Sequence, residues 1–440
     1  MIVVHRIALD PNKKQETSFR KSAGAARFAY NWALAEWQRQ YDAGGKPNEA
    51  SLRKLLNEIK ANAFPWMLEV SKNVIQQAIK NLGTAFTNFF RRMEEYNHEP
   101  DPRRKKSLKR KLGYPKFKKK GRSRDSFRAD NGPAKKGADA VRVDGKYVVL
   151  PTIGRIRMRE RLRFTGQVKS AIASRTANRW FVALSVEVPE EILPRKNQAV
   201  VGVDLGISTL ATVSDDREPY QSPYARKKLS KKRRRLAKAM SRKQGPAPGT
   251  KPSKNFVKAA RLLARLEARI ANIRIDATHK ATTDLCRTCS EIVLEDLSVR
   301  GMMANHKLAG AISDAAFCEF RRQVEYKAKR YACKVTSAPR FFPSSKMCSK
   351  CGQIHEGLTL KDRIWTCPAC GTVHQRDQNA SYNLASLAES SPATARMIAN
   401  AVILPPQSGN GAASSGSGRK SRTKLAAVKR EPARGIKSQG

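Results

Sequence analysis

CSKCGQIHEGLTLKDRIWTCPACGTVHQRDQN, residues 348–379, carries two Cys-x-x-Cys pairs, Cys348/Cys351 and Cys367/Cys370, separated by fifteen residues. A glycine follows each pair, Gly352 and Gly371, and can take the positive-φ turn that aims both sulfurs at one point. Four thiolates on two such knuckles give Zn²⁺ a closed tetrahedral shell, the donor set of a structural rather than a catalytic metal. The C-x₂-C-x₁₅-C-x₂-C spacing lies within the range of zinc sites. The competing reading, two disulfides, requires an oxidising compartment. Seven residues after Cys370 comes Asp377, inside Arg376-Asp377-Gln378-Asn379-Ala380, so the second knuckle would hold a carboxylate in place.

Two further acids share that setting. Asp204 ends an apolar β-branched stretch, VVGVDLG (200–206), and Glu295 ends another, EIVLEDL (291–297). An acid at the end of an apolar strand is costly to leave unpaired. Each alone has an ordinary explanation: Asp204 as a turn cap, Glu295 paired with Arg300, Asp377 as a helix N-cap. Three of them on separate elements of a basic chain point to a shared cation site. Hard oxygen donors suit Mg²⁺ or Mn²⁺, and two such ions can activate water and stabilise the leaving oxygen in phosphodiester hydrolysis. GVDLG also resembles the first phosphate loop of actin/Hsp70-type ATPases, but a short glycine motif is weakly specific and those proteins have no zinc ribbon.

The chain has 440 residues, enough for two or three domains with their own cores. Lys and Arg outnumber Asp and Glu by 87 to 37, a formal charge of +50 and a pI near 10.5. Such a charge repels itself unless a polyanion compensates it, so nucleic acid is the expected partner. A membrane surface is the rival, yet no apolar run approaches the roughly 18 residues of a spanning helix. The start, MIVVHR, is too short and charged for a signal peptide, and a cytoplasmic, nucleoid-associated setting with reduced thiols is expected.

The remaining pattern alternates in type. Residues 2–9 read as a strand, followed by helical stripes through Phe19–Tyr41, Leu52–Ile59 and Ile75–Met93. RRKKSLKRKLGYPKFKKKGRSRDSFR (103–128) interleaves cations with Tyr114, Phe117 and Phe127. Lys116, Lys118, Lys119, Lys120, Arg122, Arg124 and Arg128 are its candidate phosphate contacts, with the rings available for stacking. Short strands are expected over 141–149, 153–158, 167–175 and 179–188, and a linker at 195–197. Residues 200–206 and 209–214 form a hairpin. Residues 225–243 are highly basic, and a loop spans 244–253. A long helix through Leu262–Ala277, a strand over 291–297, a helix over 313–331 and a strand over 333–338 lead to the zinc unit, and a helix follows from Asn379. Cys286, Cys289, Cys318 and Cys333 read as packed residues, and the Ser/Gly/Pro/Lys-rich end as disordered.

GVDLGIS (202–208), IVLEDLSVRGM (292–302), FFPSSKMCSKCG (341–352) and LTLKDRIWTCPACGTVHQRDQNAS (358–381) together resemble the TnpB (OrfB) proteins of bacterial insertion sequences, which are similar to compact type V CRISPR effectors. The strong motifs cover the C-terminal half; PKFKKKGRSRDSFR (115–128) carries the resemblance more weakly into the N-terminal half. The resemblance implies an α/β multidomain protein: an RNase H-like RuvC nuclease domain with an inserted zinc ribbon, preceded by a wedge β-barrel with an inserted helical recognition lobe. It implies a barrel at 1–14 and 112–195, a recognition lobe at 15–111, the nuclease at 198–340 and 374–392, the ribbon at 341–373 and a basic tail at 393–440. Catalytic acids and Mg²⁺ ligands map onto Asp204, Glu295 and Asp377, and Zn²⁺ ligands onto Cys348, Cys351, Cys367 and Cys370.

The implied activity is RNA-guided cutting of double-stranded target DNA beside a short motif, with guide RNA from the transposon end. Base pairing supplies sequence and the protein a cationic channel. The family's usual His-Asp-Arg-Asp-x-Asn is here His374-Gln375-Arg376-Asp377-Gln378-Asn379, so Gln375 replaces an acid and can alter local orientation. Two other readings stay open on sequence: a catalytically weak RNA-guided DNA-binding repressor, and a transposase acting directly on DNA ends.

Overall fold

Alternate residues of β1 (Ile2–Asp10), namely His5, Ile7 and Leu9, are buried, the two-residue period of a strand covered on one face. The computed structural model describes residues 1–131, 141–190, 193, 199–243, 250–359 and 361–389. The expected linker at 195–197, most of the 244–253 loop and the expected tail at 393–440 lie outside them.

α1 (Lys13–Asp42) opens with a capping box: Asn12 accepts from the Gln15 N–H and Gln15 accepts from the Asn12 N–H. Its stripe from Phe19 to Trp37 is buried as the spacing predicts, while Tyr41 is exposed. α2 (Glu49–Ala63) and α3 (Lys72–Asn97) pack beside it, with Trp37 stacked on Phe86 at 4.0 Å. α4 (Pro102–Lys109) carries the first part of the basic run and buries nothing.

A seven-stranded antiparallel sheet follows, built from β1, β2 (Ser126–Asp130), β3 (Arg142–Asp144), β4 (Tyr147–Leu150), β5 (Gly154–Met158), β6 (Gln167–Thr176) and β7 (Arg179–Glu187) in the order β2-β6-β7-β1-β5-β4-β3. The stretch expected as one strand over 141–149 is a hairpin, because Gly145 at φ +54 turns the chain. Asn131 draws the two sheet edges together: its amide donates to Val141 O and Val168 O and accepts from the Val141 N–H. Phe19 lies 4.9 Å from Trp180 and 5.7 Å from Phe127, so the helices and the sheet share one core. Phe127, expected as a ring open to stacking, is part of that core, since its strand alternation points it inward.

The second sheet has the order β10-β9-β8-β11-β12. β8 (Ala199–Asp204) and β9 (Thr209–Val213) form the expected hairpin, continued by the short β10 (Tyr220–Gln221). α5 (Ala225–Lys228), α6 (Ser230–Ser241) and α7 (Lys254–Thr288) lead to β11 (Cys289–Leu294), which pairs parallel with β8. α8 (Val299–Met302), α9 (Ala309–Ala315) and α10 (Phe317–Tyr331) lead to β12 (Lys334–Ser337), parallel to β11. The single helix expected over 313–331 is two, broken at Ala316, whose φ of +57 is left-handed and cannot continue a helix.

Leu285 and Cys286 of α7 and Phe320 and Val324 of α10 share a core with Val201, Val203, Ile292 and Leu294. Cys286, Cys289 and Cys333 are buried as expected; Cys318 is exposed, because the inward stripe of α10 runs through Phe317, Phe320 and Val324. The chain ends its described course in the antiparallel pair β13 (Ile364–Thr366) and β14 (Val373–Gln375) and in α11 (Arg376–Glu389). Among the described residues no helix is long and apolar enough to cross a membrane.

Candidate functional site

Gly202 decides how closely α11 approaches the second sheet. A Cβ there would lie 2.1 Å from Ser381 O and 2.4 Å from Ala385 N, so only glycine admits the helix backbone. Asp204 is two residues further along β8 and therefore on the same face, toward α11. Leu294 is in register with Val203 on the neighbouring parallel strand, so Glu295 leaves β11 beside Asp204. Asp377 is the second residue of α11. The three acids thus come from three elements and meet at the carboxyl ends of β8 and β11, the edge where open α/β sheets bind ligands.

Burial pushes the Asp204 carboxyl well above its ordinary range, and the Glu295 and Asp377 carboxylates push it further. Burial also raises Glu295, opposed by the Ser344 hydroxyl, which donates to Glu295 Oε1 at 2.5 Å. Among the described residues the Asp204 carboxylate makes no hydrogen bond or salt bridge. Asp377 receives Arg363 Nη1 at 3.1 Å. Mutually repelling acids with one side-chain partner each at most are a donor set that fits hard divalent cations. Their oxygens do not all lie within 4.8 Å of one another, in contrast to the cysteine sulfurs.

The four sulfurs of Cys348, Cys351, Cys367 and Cys370 do. Cys348 Sγ lies 3.7 Å from Cys370 Sγ, and Cys351 Sγ 3.6 Å from Cys367 Sγ. Sulfurs about 2.3 Å from a common tetrahedral centre stand about 3.8 Å apart, so the residues fit Zn²⁺ without rearrangement. The knuckles form as expected: Gly352 and Gly371 have φ +77 and +69, and their N–H groups donate to Cys348 O and Cys367 O. Cys370 Sγ donates to Thr372 Oγ1 at 3.2 Å, and contact with Thr372 holds that thiol down to about 6. His374 Nε2 lies 3.0 Å from Cys348 Sγ, placed to donate to a thiolate rather than to add a fifth ligand.

Side chains to which the sequence reading gave no role tie the two centres together. Asn379 accepts from the Ser349 N–H and donates to Met347 O, and Asn383, one turn later, donates to Ser344 O and Met347 O. Ser344, gripped in this way, is the donor to Glu295. Arg376, buried at the start of α11, donates to Thr359 O and Ser345 Oγ. The signal for these residues was present in FFPSSKM and in the i, i+4 asparagines, but a polar residue gives no partner until the chain is folded. Gln375 accepts the Gln378 N–H at 2.5 Å, capping α11, so the residue that replaces an acid serves the helix start.

The basic segment divides. Lys116, Lys119, Lys120, Arg122 and Arg124 are exposed. Lys118 lies over the Tyr30 ring at 3.8 Å with its pKa lowered by burial, Arg128 pairs with Asp130 at 2.9 Å, and Arg124 donates to Ser174 Oγ and Thr176 Oγ1, so these three also have internal partners.

A family model described as "Probable transposase" (OrfB, IS605) matches residues 183–306, a "Cas12f1-like, TNB domain" matches residues 317–384, and an OrfB "Helix-turn-helix domain" matches residues 1–46, here β1 and α1. A Streptomyces pristinaespiralis protein described as "Putative RNA-guided DNA endonuclease" is 35% identical, covering 85% of this chain and 86% of that protein. "Putative RNA-guided DNA endonuclease InsQ" of Escherichia coli (strain K12) is 30% identical over 89% of this chain and 94% of its own length. The solved Cas12f1-sgRNA-target DNA complex contains a chain that superposes with a TM-score of 0.50 at 15% identity, over 84% of this chain and 83% of that one, a shared mixed α/β fold.

Proposed function

Because the chain belongs to the TnpB (OrfB) family of RNA-guided DNA endonucleases, we propose that it hydrolyses target DNA at Asp204, Glu295 and Asp377 of a RuvC-type nuclease domain. Guide RNA and double-stranded target DNA are its partners, with the transposon end as the source of the RNA. The observation that carries the reading is the meeting of three half-buried acids, from three separate elements, at one sheet edge.

The three carboxylates would hold Mg²⁺ or Mn²⁺, which when bound supplies charge stabilisation and water activation for phosphodiester hydrolysis. Ser344 orients Glu295, and Arg363 holds Asp377 against the start of α11. The cysteine tetrad would hold structural Zn²⁺ and, through Ser344 and Asn383, keep the Glu295 partner in place. We read the first sheet, with edges joined at Asn131, as the wedge barrel (1–14 and 112–195), α1–α4 as the recognition lobe (15–111), and the second sheet with its helices as the nuclease (198–340 and 374–392) interrupted by the ribbon (341–373). The exposed cations among Lys116–Arg124 are proposed phosphate contacts.

A repressor or a direct transposase is not favoured: all three acids are present, and the relatives are described as RNA-guided endonucleases. The test is purification with the natural flanking DNA, sequencing of the bound RNA, and incubation with Mg²⁺ and a matching plasmid. A discrete RNA and guided cutting, lost in Asp204→Ala, is the expected result. A discrete RNA without cutting would turn the protein into a guided binder.

A further inference from the structure

α11 is held along three of its stripes. Ser381, Leu384 and Ala385 face Gly202, so that stripe lies on β8. Asp377, one turn before Ser381, shares it. On one flank Asn379 and Asn383 donate to Met347 O and Ser344 O. Gln378 and Tyr382, also one turn apart, form the other flank. Gln378 Nε2 donates to Val213 O and to Asp216 Oδ1, each at 3.1 Å, and the Tyr382 hydroxyl donates to the same Asp216 oxygen.

Asp216 belongs to the turn between β9 and β10, and its φ is +57. Glycine adopts that left-handed conformation freely, whereas a residue with a Cβ is strained there and persists where its surroundings hold it. The turn has a fixed footing. The neighbouring Arg217 pairs with Asp215 and donates to Tyr220 Oη at 3.1 Å, Thr288 Oγ1 at 3.1 Å and Asp284 Oδ2 at 3.2 Å, the last two on α7. One carboxylate oxygen thus joins two turns of α11 to a loop anchored on α7.

The consequence falls on Asp377. Asp204 and Glu295 are set by paired strands, but Asp377 is aimed by the rotation of a helix. Rolling α11 by about 10° would move a carboxylate about 5–6 Å from its axis by about 1 Å. A misplacement of that size costs about a hundredfold where reacting groups must be aligned. Bonds on the asparagine flank alone let the helix roll about them; bonds on both flanks stop the roll.

Resting on the nuclease reading, we propose that Asp216 is a positioning residue: through Gln378 and Tyr382 it sets the rotation of α11, and with it the aim of Asp377 at the edge that carries Asp204 and Glu295.

The test compares RNA-loaded wild type with Asp216→Asn and Asp216→Gly. Asparagine keeps an acceptor oxygen and tolerates the left-handed backbone; glycine takes that backbone without strain but offers no acceptor. The Gly variant should match the wild type in zinc, guide RNA and affinity for matched DNA, and in melting temperature within a few degrees. It should bind Mn²⁺ at least fivefold more weakly by electron paramagnetic resonance, with Asp204→Ala as background. It should also need at least fivefold more Mg²⁺ for half-maximal cutting, and cut at least tenfold more slowly when Mg²⁺ saturates. The Asn variant should stay within about threefold of the wild type in all three. Wild-type Mn²⁺ affinity in the Gly variant would overturn the proposal. An Asn variant as weak as the Gly one would overturn it too, since the charge rather than the hydrogen bonds would then be the cause. If the Gly variant does not fold, Gln378→Met with Tyr382→Phe removes the same bonds from the helix side, and wild-type Mn²⁺ affinity there is equally fatal. Mn²⁺ binding is read without cutting, so a loaded wild type that binds Mn²⁺ but fails to cut defeats the nuclease reading and leaves these affinities to judge Asp216.

Discussion

On the proposed nuclease reading, stability and activity pull in opposite directions at Asp204. Its folded pKa is raised, as is that of Glu295, so their contribution favours the fold below the ordinary carboxylate range near 4 and is lost as pH rises through the raised values. At neutral pH, without divalent ions, the pair is a cost. Asp204→Asn should therefore raise the melting temperature in chelator at pH 7, by roughly 2–4 °C for each kcal/mol recovered. The gain should shrink toward pH 4 and on adding Mg²⁺, while guided cutting is abolished. Calorimetry with and without Mg²⁺ measures this, and a lower melting temperature in chelator would show that Asp204 supports the fold instead. The acid's identity was legible from its place in VVGVDLG; the proton it prefers was not, because that depends on which carboxylates face it.

At the scale of elements, the site depends on α11 lying directly on β8. Gly202→Ala would force a methyl group against two backbone atoms that cannot turn aside. The expected cost is about 3 kcal/mol or more, read by urea denaturation, together with loss of cutting. A variant as stable and active as the wild type would mean that the contact can relax. The zinc unit is the second such element. Cys367→Ser should remove bound zinc and, by loosening the Ser344–Asn383 grip, lower the rate of guided cutting at least tenfold while guide RNA stays bound. Full cutting by a zinc-free protein would separate the two centres. The tetrad itself was readable from cysteine spacing alone, since a two-residue loop allows few geometries. Its connection to Glu295 was not, since Ser344 and Glu295 are 49 residues apart.

Across the whole molecule, +50 has to be neutralised. The bare chain should melt at a higher temperature when a generic polyanion such as heparin is added at low salt, and the difference should vanish near 1 M salt, where screening acts within about 3 Å. Thermal melts across a salt series check this; a shift that survives high salt would point to a specific site rather than to charge. The helix break at Ala316 and the exposure of Cys318 belong to this scale too. Both went unread because the apolar period of 313–331 is continuous, and only packing against the sheet imposes the turn.

The sequence by itself brought out the cysteine tetrad, the three acids, most of the order of strands and helices and the excess of positive charge, because each rests on spacing or composition over a few dozen residues. Only the tertiary structure decided that Gly202 seats α11, that Ser344 serves Glu295, that Gln375 caps a helix and that Tyr224 ties α5 to the loop after Asp204. Those are relations between residues distant in the chain, and they exist only after α11 closes over β8 and β11.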